Sequence, residues 1–371
     1  MARAAQDDAG ELAAWLRLLA VPSIGRVQAR QVLAAFGTPQ EIFEATDAER
    51  VHRVGRDLAA ALSQQSLVLD DEVAKVQAWV EGGPSRRWIT IGDALYPQSL
   101  LQTADPPLLL YLQGRAELLG ARCLAIVGSR NPTAQGADNA RAFAEHLGRA
   151  GLVVVSGMAL GIDGAAHMGA LASGAGTIAV IGTGADRIYP RRHRDLAHRI
   201  AESGLIVSEF PLGTPPLAPN FPQRNRIIAG LAVGTLVVEA ALESGSLITA
   251  AQAADAGREV FAIPGSIHSP QSRGCHALIK QGAKLVETAQ DVLDEIGGFA
   301  SPPAQPQAAT AQDPAADPLL ETMGYEPVSL DELQARTGLA TGVLSARLLE
   351  LELAGALARL PGGMYQRRGA G

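Results

Sequence analysis

The sequence predicts an α/β protein built on a mostly parallel, doubly wound sheet, and three observations predict it. Seven short apolar runs recur through the middle of the chain, at 123–127, 152–156, 177–181, 205–208, 235–238, 259–263 and, more weakly, 284–286. Segments with apolar residues at helical spacing lie between them, such as 134–150 and 247–256. Gly151 and Gly257 follow those two segments, where the left-handed residue after a helix belongs. Repeated βαβ units set parallel strands side by side with helices on both faces. Sheets of that kind bind ligands outside the carboxyl ends of their strands.

Each run is short and mostly β-branched or leucine, as in strands buried on both faces. The loops that leave the runs are rich in small residues. They read Gly128-Ser129-Arg130, Ser156-Gly157-Met158-Ala159-Leu160-Gly161, Gly182-Thr183-Gly184 and Ser244-Gly245-Ser246. Glycine lets a backbone approach a ligand, and free N–H groups at a helix start attract phosphate. One such loop is an ordinary tight turn; four on one edge point to an anion site. There is no Walker pattern and no Gly-x-Gly-x-x-Gly fingerprint after the first run, so no cofactor is expected, and no metal.

Cationic residues gather at the same edge. Arg130 is either a surface arginine capping a helix or a fork for phosphate. Between Arg187 and Arg199, five arginines and two histidines face one aspartate, with Tyr189 interleaved and Arg191 and Arg192 adjacent. Asn220-Phe221-Pro222-Gln223-Arg224-Asn225-Arg226 sets two arginines and the Asn225 amide beside an aromatic, just before an apolar helix. Such runs are usually solvated faces. Here both follow predicted strands and are expected to point at one edge. Phosphate contacts with aromatic stacking describe a single-strand groove. On this reading Arg130→Ala and Arg224→Ala each weaken binding without unfolding the chain. Asp163 and His167 read as a helix-start acid and a structural histidine rather than as a catalytic pair.

Composition bounds the partners. The 371 residues carry a net charge of −7, spread as −2 over 1–87, −2 over 88–296 and −3 over 297–371. No segment is basic overall, which argues against a coat of bulk charge on nucleic acid and leaves room for a local groove. Of 31 basic residues, only Lys75, Lys280 and Lys284 are lysines; a GC-rich genome accounts for most of that bias. Cys123 and Cys275 cannot form a disulfide framework and fit a reducing cytosol. The polar, acidic N-terminus does not read as a secretory signal, and no apolar run has membrane length. A cytoplasmic protein is expected. Residues 298–318 are proline-rich, lack apolar periodicity and read as a disordered linker. A weaker boundary near Gly82-Gly83-Pro84 then gives units at 1–87, 88–297 and 319–371.

Residues 96–294 resemble the DprA (Smf) family, the DNA-processing proteins of bacterial natural transformation. The resemblance rests on several long motifs in order. They are Gly128-Ser129-Arg130 within 126–133, Ser156-Gly157-Met158 within 156–167, Gly182-Thr183-Gly184 within 182–190, Phe221-Pro222-Gln223-Arg224-Asn225-Arg226 within 221–230, Glu243-Ser244-Gly245-Ser246 within 238–250, and Ile263-Pro264-Gly265-Ser266. The resemblance implies an extended Rossmann-like domain that binds single-stranded DNA. It also implies a homodimer that loads the RecA recombinase while displacing single-strand-binding protein, and no enzymatic activity. The family's motif arginines map to Arg130, Arg224 and Arg226, and the basic residue after Tyr-Pro maps to Arg191. Some relatives carry a lysine where this chain has Leu217-Ala218-Pro219; that contact is either missing or taken over by Arg192.

The ends of the chain read as accessory units. Pro22-Ser23-Ile24-Gly25-Arg26, between two helical patterns, looks like a helix-hairpin-helix or sterile-alpha-motif-like domain. Arg26 and Arg30 lie one helical turn apart, either as phosphate contacts or within a packing domain. At the C-terminus, helix patterns from 328 and over 339–353, then a two-stranded wing, look like a winged helix with Ser329 and Thr341 as N-caps. Its recognition helix has Arg347 against Glu350 and Glu352, which favours protein contact over a duplex-reading regulator. An enzymatic alternative also exists. The glycine-rich edge is similar to that of the LOG family of nucleoside monophosphate phosphoribohydrolases, with Glu239 near that family's acid. The Pro-Gly-Gly-x-Gly-Thr motif of that family is absent, and Glu239 reads equally as an internal hydrogen-bond acceptor.

Overall fold

The computed structural model describes residues 2–64, 69–297 and 317–368. Six helices come first: α1 (Ala2–Leu19), α2 (Arg26–Phe36), α3 (Pro39–Glu44), α4 (Asp47–Val54), α5 (Arg56–Leu62) and α6 (Leu69–Glu81). The short α3 and α4 each begin at a threonine, Thr38 and Thr46, that accepts from the amide three residues on. Glu41 and Glu49 reach back to complete both capping boxes.

The middle of the chain forms a nine-stranded sheet with strand order β1-β2-β6-β5-β4-β3-β7-β8-β9. The strands are β1 (Arg86–Thr90), β2 (Leu109–Gly114), β3 (Cys123–Val127), β4 (Val153–Ser156), β5 (Thr177–Val180), β6 (Leu205–Ser208), β7 (Gly234–Val237), β8 (Glu259–Ala262) and β9 (Lys284–Leu285). From β6 through β9 all neighbours are parallel; β1 and β2 add an antiparallel edge. The connecting helices are α7 (Gln98–Leu101), α8 (Ala134–Arg149), α9 (Ile162–Ser173), α10 (Arg194–Ser203), α11 (Asn220–Leu231), α12 (Ser246–Asp255), α13 (Arg273–Lys280) and α14 (Ala289–Ile296). Gly151 and Gly257 both take positive φ, 97° and 68°, after α8 and α12, as their positions predict.

Burial explains why the strands read so clearly. Every residue of β3 to β7 is buried, and alternate side chains enter opposite layers. Leu124 and Ile126 pack with α8 and α9 residues such as Ala144 and Ala166. Ala125 and Val127 pack with Ile227 and Leu231 of α11 on the other face. The edge strands β1 and β2 were not expected. The unbroken run Leu108-Leu109-Leu110-Tyr111-Leu112 has no period of its own and fits helix and strand alike. It proves to join two units: Leu108, Leu109 and Tyr111 share one apolar cluster with Leu12, Trp15, Phe36 and Trp79 of the N-terminal helices.

That junction decides between the two readings of Arg26 and Arg30, in favour of packing over phosphate contact. Arg26 pairs with Asp105 at 3.0 Å and Glu209 at 3.4 Å, and Arg30 also holds Asp105. Burial pushes the Asp105 carboxyl up, but hydrogen bonds from Arg226 and Arg30 outweigh it and hold the group below the usual carboxylate range. Removing Asp105 leaves three guanidinium groups facing Glu209 alone. Asp105→Ala is expected to cost about 1–3 kcal/mol in a urea unfolding titration. An unchanged midpoint would reduce the network to a surface ornament.

The C-terminal unit comprises α15 (Pro318–Met323), β10 (Val328–Ser329), α16 (Leu330–Thr337), α17 (Thr341–Leu353), β11 (Leu357–Leu360) and β12 (Met364–Arg367). The expected two-stranded wing is β11 and β12, and β10, from before α16, pairs with β12 to make a three-stranded sheet, β10-β12-β11. Ser329 caps α16 as predicted. Thr341 does not cap α17; it is the first helical residue and bonds the Gln334 side chain. Most of the predicted linker, 298–316, lies outside the described residues. Its last two residues open α15 instead: Asp317 accepts from Leu319 N, and Pro318 takes the first helical position. β12 touches the sheet domain, where Gln366 Oε1 accepts from Ala134 N at 3.1 Å and Arg368 pairs with Asp138 at 3.1 Å.

Candidate nucleic-acid interface

The strand order reverses between β4-β3 and β7-β8, because the chain leaves β3 for β4 on one side and returns to β7 on the other. Helices diverge at such a point and leave a crevice. A cleft of ≈ 520 Å³ opens there, lined by Gly128, Ser129, Arg130 and Asn131 after β3, and by Ser244, Gly245 and Ser246 at the start of α12. Phe221, Arg224 and Asn225 of α11 form a third wall. A smaller cavity of ≈ 90 Å³ continues past Phe221 between Gly157, Gly182 and Tyr189.

The mouth of the cleft has free cations and stacked rings. Arg130 is exposed, and among the described residues no carboxylate pairs with it. Its guanidinium stands 5.6 Å from the centre of the Phe221 ring. Tyr189 is 47% exposed and lies 5.6 Å from the same ring at a 41° tilt. Arg191 and Arg192 continue outward on a short 3-10 turn, both exposed. His193 anchors that turn through Nδ1 to the Met158 carbonyl at 3.0 Å. Met158 itself holds a φ of 60°, which costs a non-glycine residue energy and is typical of ligand loops. Phe221 packs against Gly182, where a Cβ would come within 3.0 Å of the ring. Glycine is therefore needed to seat the aromatic.

Sequence motifs do not separate the exposed rim from the residues that support it. Residues 220–226, expected just before a helix, form the first turns of α11 instead. Residues 224 and 226, two apart on a helix, point about 200° from each other. Arg226 therefore faces the N-terminal helices, bonding Asp105 at 2.8 Å and Glu209 at 2.5 Å. It is not at the cleft. Arg224 does reach the cleft wall but is only 4% exposed. Its Nη1 donates to Gly157 O at 2.5 Å and to Val180 O, and its Nε to Asn225 Oδ1 at 3.0 Å. Burial brings its pKa down to about 10, with Asp163 opposing, so the guanidinium stays charged near neutrality. It is a clamp between β4, β5 and α11, and a Cβ at Gly157 would collide with it.

Two further expectations change. Ser156 is fully buried and donates to Ile126 O at 2.7 Å, so it lies beneath the cleft rather than in it. The amides at the start of α8 are already engaged: Thr133 N by Glu239 at 2.9 Å, Ala134 N by Gln366 and Gly136 N by Thr133. No phosphate can use them as they stand. Ser244 and Ser246 share a hydroxyl hydrogen bond of 2.7 Å, and Gly245 O accepts from Asn225 Nδ2 at 3.3 Å, so this wall is ordered. Gln271, from the loop after β8, also lines the cleft, and nothing in its sequence context signals it.

The fold defines a Rossmann-like α/β protein with a helical unit before the sheet and a winged helix after it. The family model for DNA recombination-mediator protein A matches residues 87–297, and that for the DprA winged helix domain matches 302–363. Protein Smf of Escherichia coli is 40% identical over 370 residues, 96% of each chain. Among solved structures, the DNA processing protein A of Streptococcus pneumoniae is 40% identical with a TM-score of 0.58, covering 74% of this chain and 99% of that one. That of Helicobacter pylori, described for its single-stranded DNA binding mode, is 30% identical with a TM-score of 0.52, over 57% and 95%. The chain belongs to the DprA (Smf) family of DNA-processing, recombination-mediator proteins.

Proposed function

We propose that this protein binds single-stranded DNA along the carboxyl edge of its sheet and acts as a recombination mediator. In that role it loads a RecA-type recombinase and displaces single-strand-binding protein, as a homodimer in the cytoplasm. The observation that carries the reading is the unpaired, exposed Arg130 beside the Phe221–Tyr189 pair at the cleft mouth. A strand entering there meets a phosphate fork and then a stacking surface, and beyond them Arg191 and Arg192. The net charge of −7 over the whole chain confines attraction to that line. Among the described residues no helix is long and apolar enough to cross a membrane.

Affinity for oligo-dT should fall with salt at a slope of about −0.7 per neutralised phosphate. Arg130→Ala should make that slope shallower by about 0.7 while leaving the unfolding midpoint unchanged. Tyr189→Ala should weaken binding by about 1–3 kcal/mol at every salt concentration and leave the slope alone, because stacking carries no charge. A flat salt dependence for the native chain would remove the mechanism.

The protein acts by binding rather than catalysis in this reading. Glu239, the acid a nucleotide hydrolase would use, accepts from Thr133 N at 2.9 Å and from Thr133 Oγ1 at 2.5 Å. Both its oxygens serve the start of α8. Free base released from a nucleotide panel, and lost in Glu239→Gln, would restore the hydrolase alternative.

A further inference from the structure

The two accessory units meet the sheet domain in different ways. The N-terminal helices share an apolar cluster with it, in which Leu12, Trp15 and Trp79 pack with Leu109 and Tyr111. The C-terminal unit has an apolar cluster of its own, with Leu320, Leu333, Leu348 and Leu357, and among the described residues none of the sheet domain joins it. It meets the start of α8 through polar contacts. Gln366 of β12 is only 3% exposed. Its Nε2 donates to Tyr325 O within its own unit at 3.0 Å, and its Oε1 accepts from Ala134 N across the junction at 3.1 Å. Beside it Arg368 forks onto Asp138, Nε to Oδ2 at 3.1 Å and Nη2 to Oδ1 at 3.4 Å, with both side chains partly exposed. Contacts this few and this polar let two units part readily.

The contact falls beside the cleft. Arg130 and Asn131 line the cleft, and α8 begins at Ala134, a few residues further along the same loop. A helix that starts at the switch point of a doubly wound sheet is where such folds receive a ligand oxygen on an amide. In this chain an oxygen of the C-terminal unit is already on that amide. The docked unit also brings charge that repels a polyanion. Residues 317–368 hold seven acids against five arginines, net −2. Burial raises the Glu239 carboxyl first, and Glu326 of the docked unit raises it further. We propose that this docking is an autoinhibitory latch: a DNA strand held at Arg130 and the C-terminal unit seated on α8 oppose each other, and the chain takes DNA fully only when the unit has left. The inference rests on the reading of the cleft as a single-strand site. Such coupling is reciprocal, so a bound strand loosens the latch by the factor by which the latch weakens binding. The apparent affinity is the intrinsic one scaled by the open fraction, and releasing the latch restores the rest.

A charge reversal in the full chain tests it. Arg368→Asp removes a cation and adds an acid, so electrostatics alone gives weaker binding of oligo-dT. The latch gives the reverse, a gain of about three- to tenfold. Arg368 is exposed, so the substitution leaves the core of its unit intact. Asp138→Arg together with Arg368→Asp rebuilds the pair with its charges exchanged and should return the affinity to the native value. Amide exchange at Ala134 gives a reading that involves no DNA: it should speed up in Arg368→Asp and slow again in the exchanged pair. Equal or weaker binding by Arg368→Asp, or unchanged exchange at Ala134, would overturn the latch and leave the cleft reading standing. A gain that persists in the exchanged pair would overturn it as well. A native chain that binds no oligo-dT would sink the latch and the cleft reading together.

Discussion

Arg224→Ala is expected to lower the unfolding free energy by about 3–5 kcal/mol, whereas Arg130→Ala should leave it within about 0.5 kcal/mol of the native value. Both arginines line one cleft and both fall in motifs that suggest phosphate contact, yet their surroundings set opposite outcomes. Arg130 stands in water against a ring and leaves no buried group behind. Removing Arg224 strips hydrogen bonds from the Gly157 and Val180 carbonyls and from Asn225. It also leaves the buried Asp163 without its compensating charge. Buried acceptors with no donor cost more than the bond itself was worth. Lysine should not rescue the loss, since one ammonium lacks the planar fork that reaches both strands and α11 together. Urea titration of the three variants decides the matter. An Arg224→Ala chain that unfolds at the native midpoint would return Arg224 to the role of a simple phosphate contact. If the variant folds in the cold, its affinity for oligo-dT should still be lost, because the Gly157 loop and Asn225 move together when the clamp goes.

How much of this was legible beforehand depends on which property carried the information. The strands from β3 to β9 stand within one residue of the apolar runs at each end, and full burial writes the same β-branched composition into β3 to β7, while β8 and the exposed β9 are less buried and β9 reads more weakly. Gly151 and Gly257 mark helix ends through local backbone chemistry, which sequence records directly. The cleft edge was legible for the same reason, since small residues at strand ends are a local requirement of close approach. Direction was not. Arg224 and Arg226 look alike in sequence and diverge because α11 begins at Asn220 rather than after the motif. Arg26 and Arg30 leave phosphate contact and packing both open in sequence, and Asp105 and Glu209, far along the chain, decide for packing. Ser156 looks like its neighbour Gly157 but turns inward to Ile126. Apart from the start of α11, these outcomes turn on long-range partners, which one segment's periodicity does not encode.

His167 carries the second large effect, on stability against pH. It is fully buried in α9, with Nδ1 2.8 Å from Thr177 Oγ1. Thr177 donates its own proton to Val154 O at 2.7 Å, so its oxygen accepts from His167 Nδ1–H. That fixes the tautomer and leaves Nε2 as a buried lone pair with no partner. Protonating it would place a charge in the interior, near His193 and Arg224. Burial first, and those two charges second, bring its pKa down to about 3. The folded value lies below the unfolded one, so the unfolded chain binds the extra proton. Stability from this group is complete above the ordinary histidine value of about 6.5. It is lost as pH falls toward about 3, at about 1.4 kcal/mol per pH unit. Asp163 and Glu239 act in the opposite sense, since burial raises both carboxyls and favours the folded state as they protonate. The informative quantity is therefore the difference between the native chain and His167→Asn, which can still donate to Thr177 but does not titrate. Between pH 6 and 4 the native slope should exceed that of the variant by about 1.4 kcal/mol per unit. Equal slopes in chemical denaturation across that range would mean that His167 is charged in the folded protein or that water reaches Nε2. Either result would break the link between its burial and acid sensitivity.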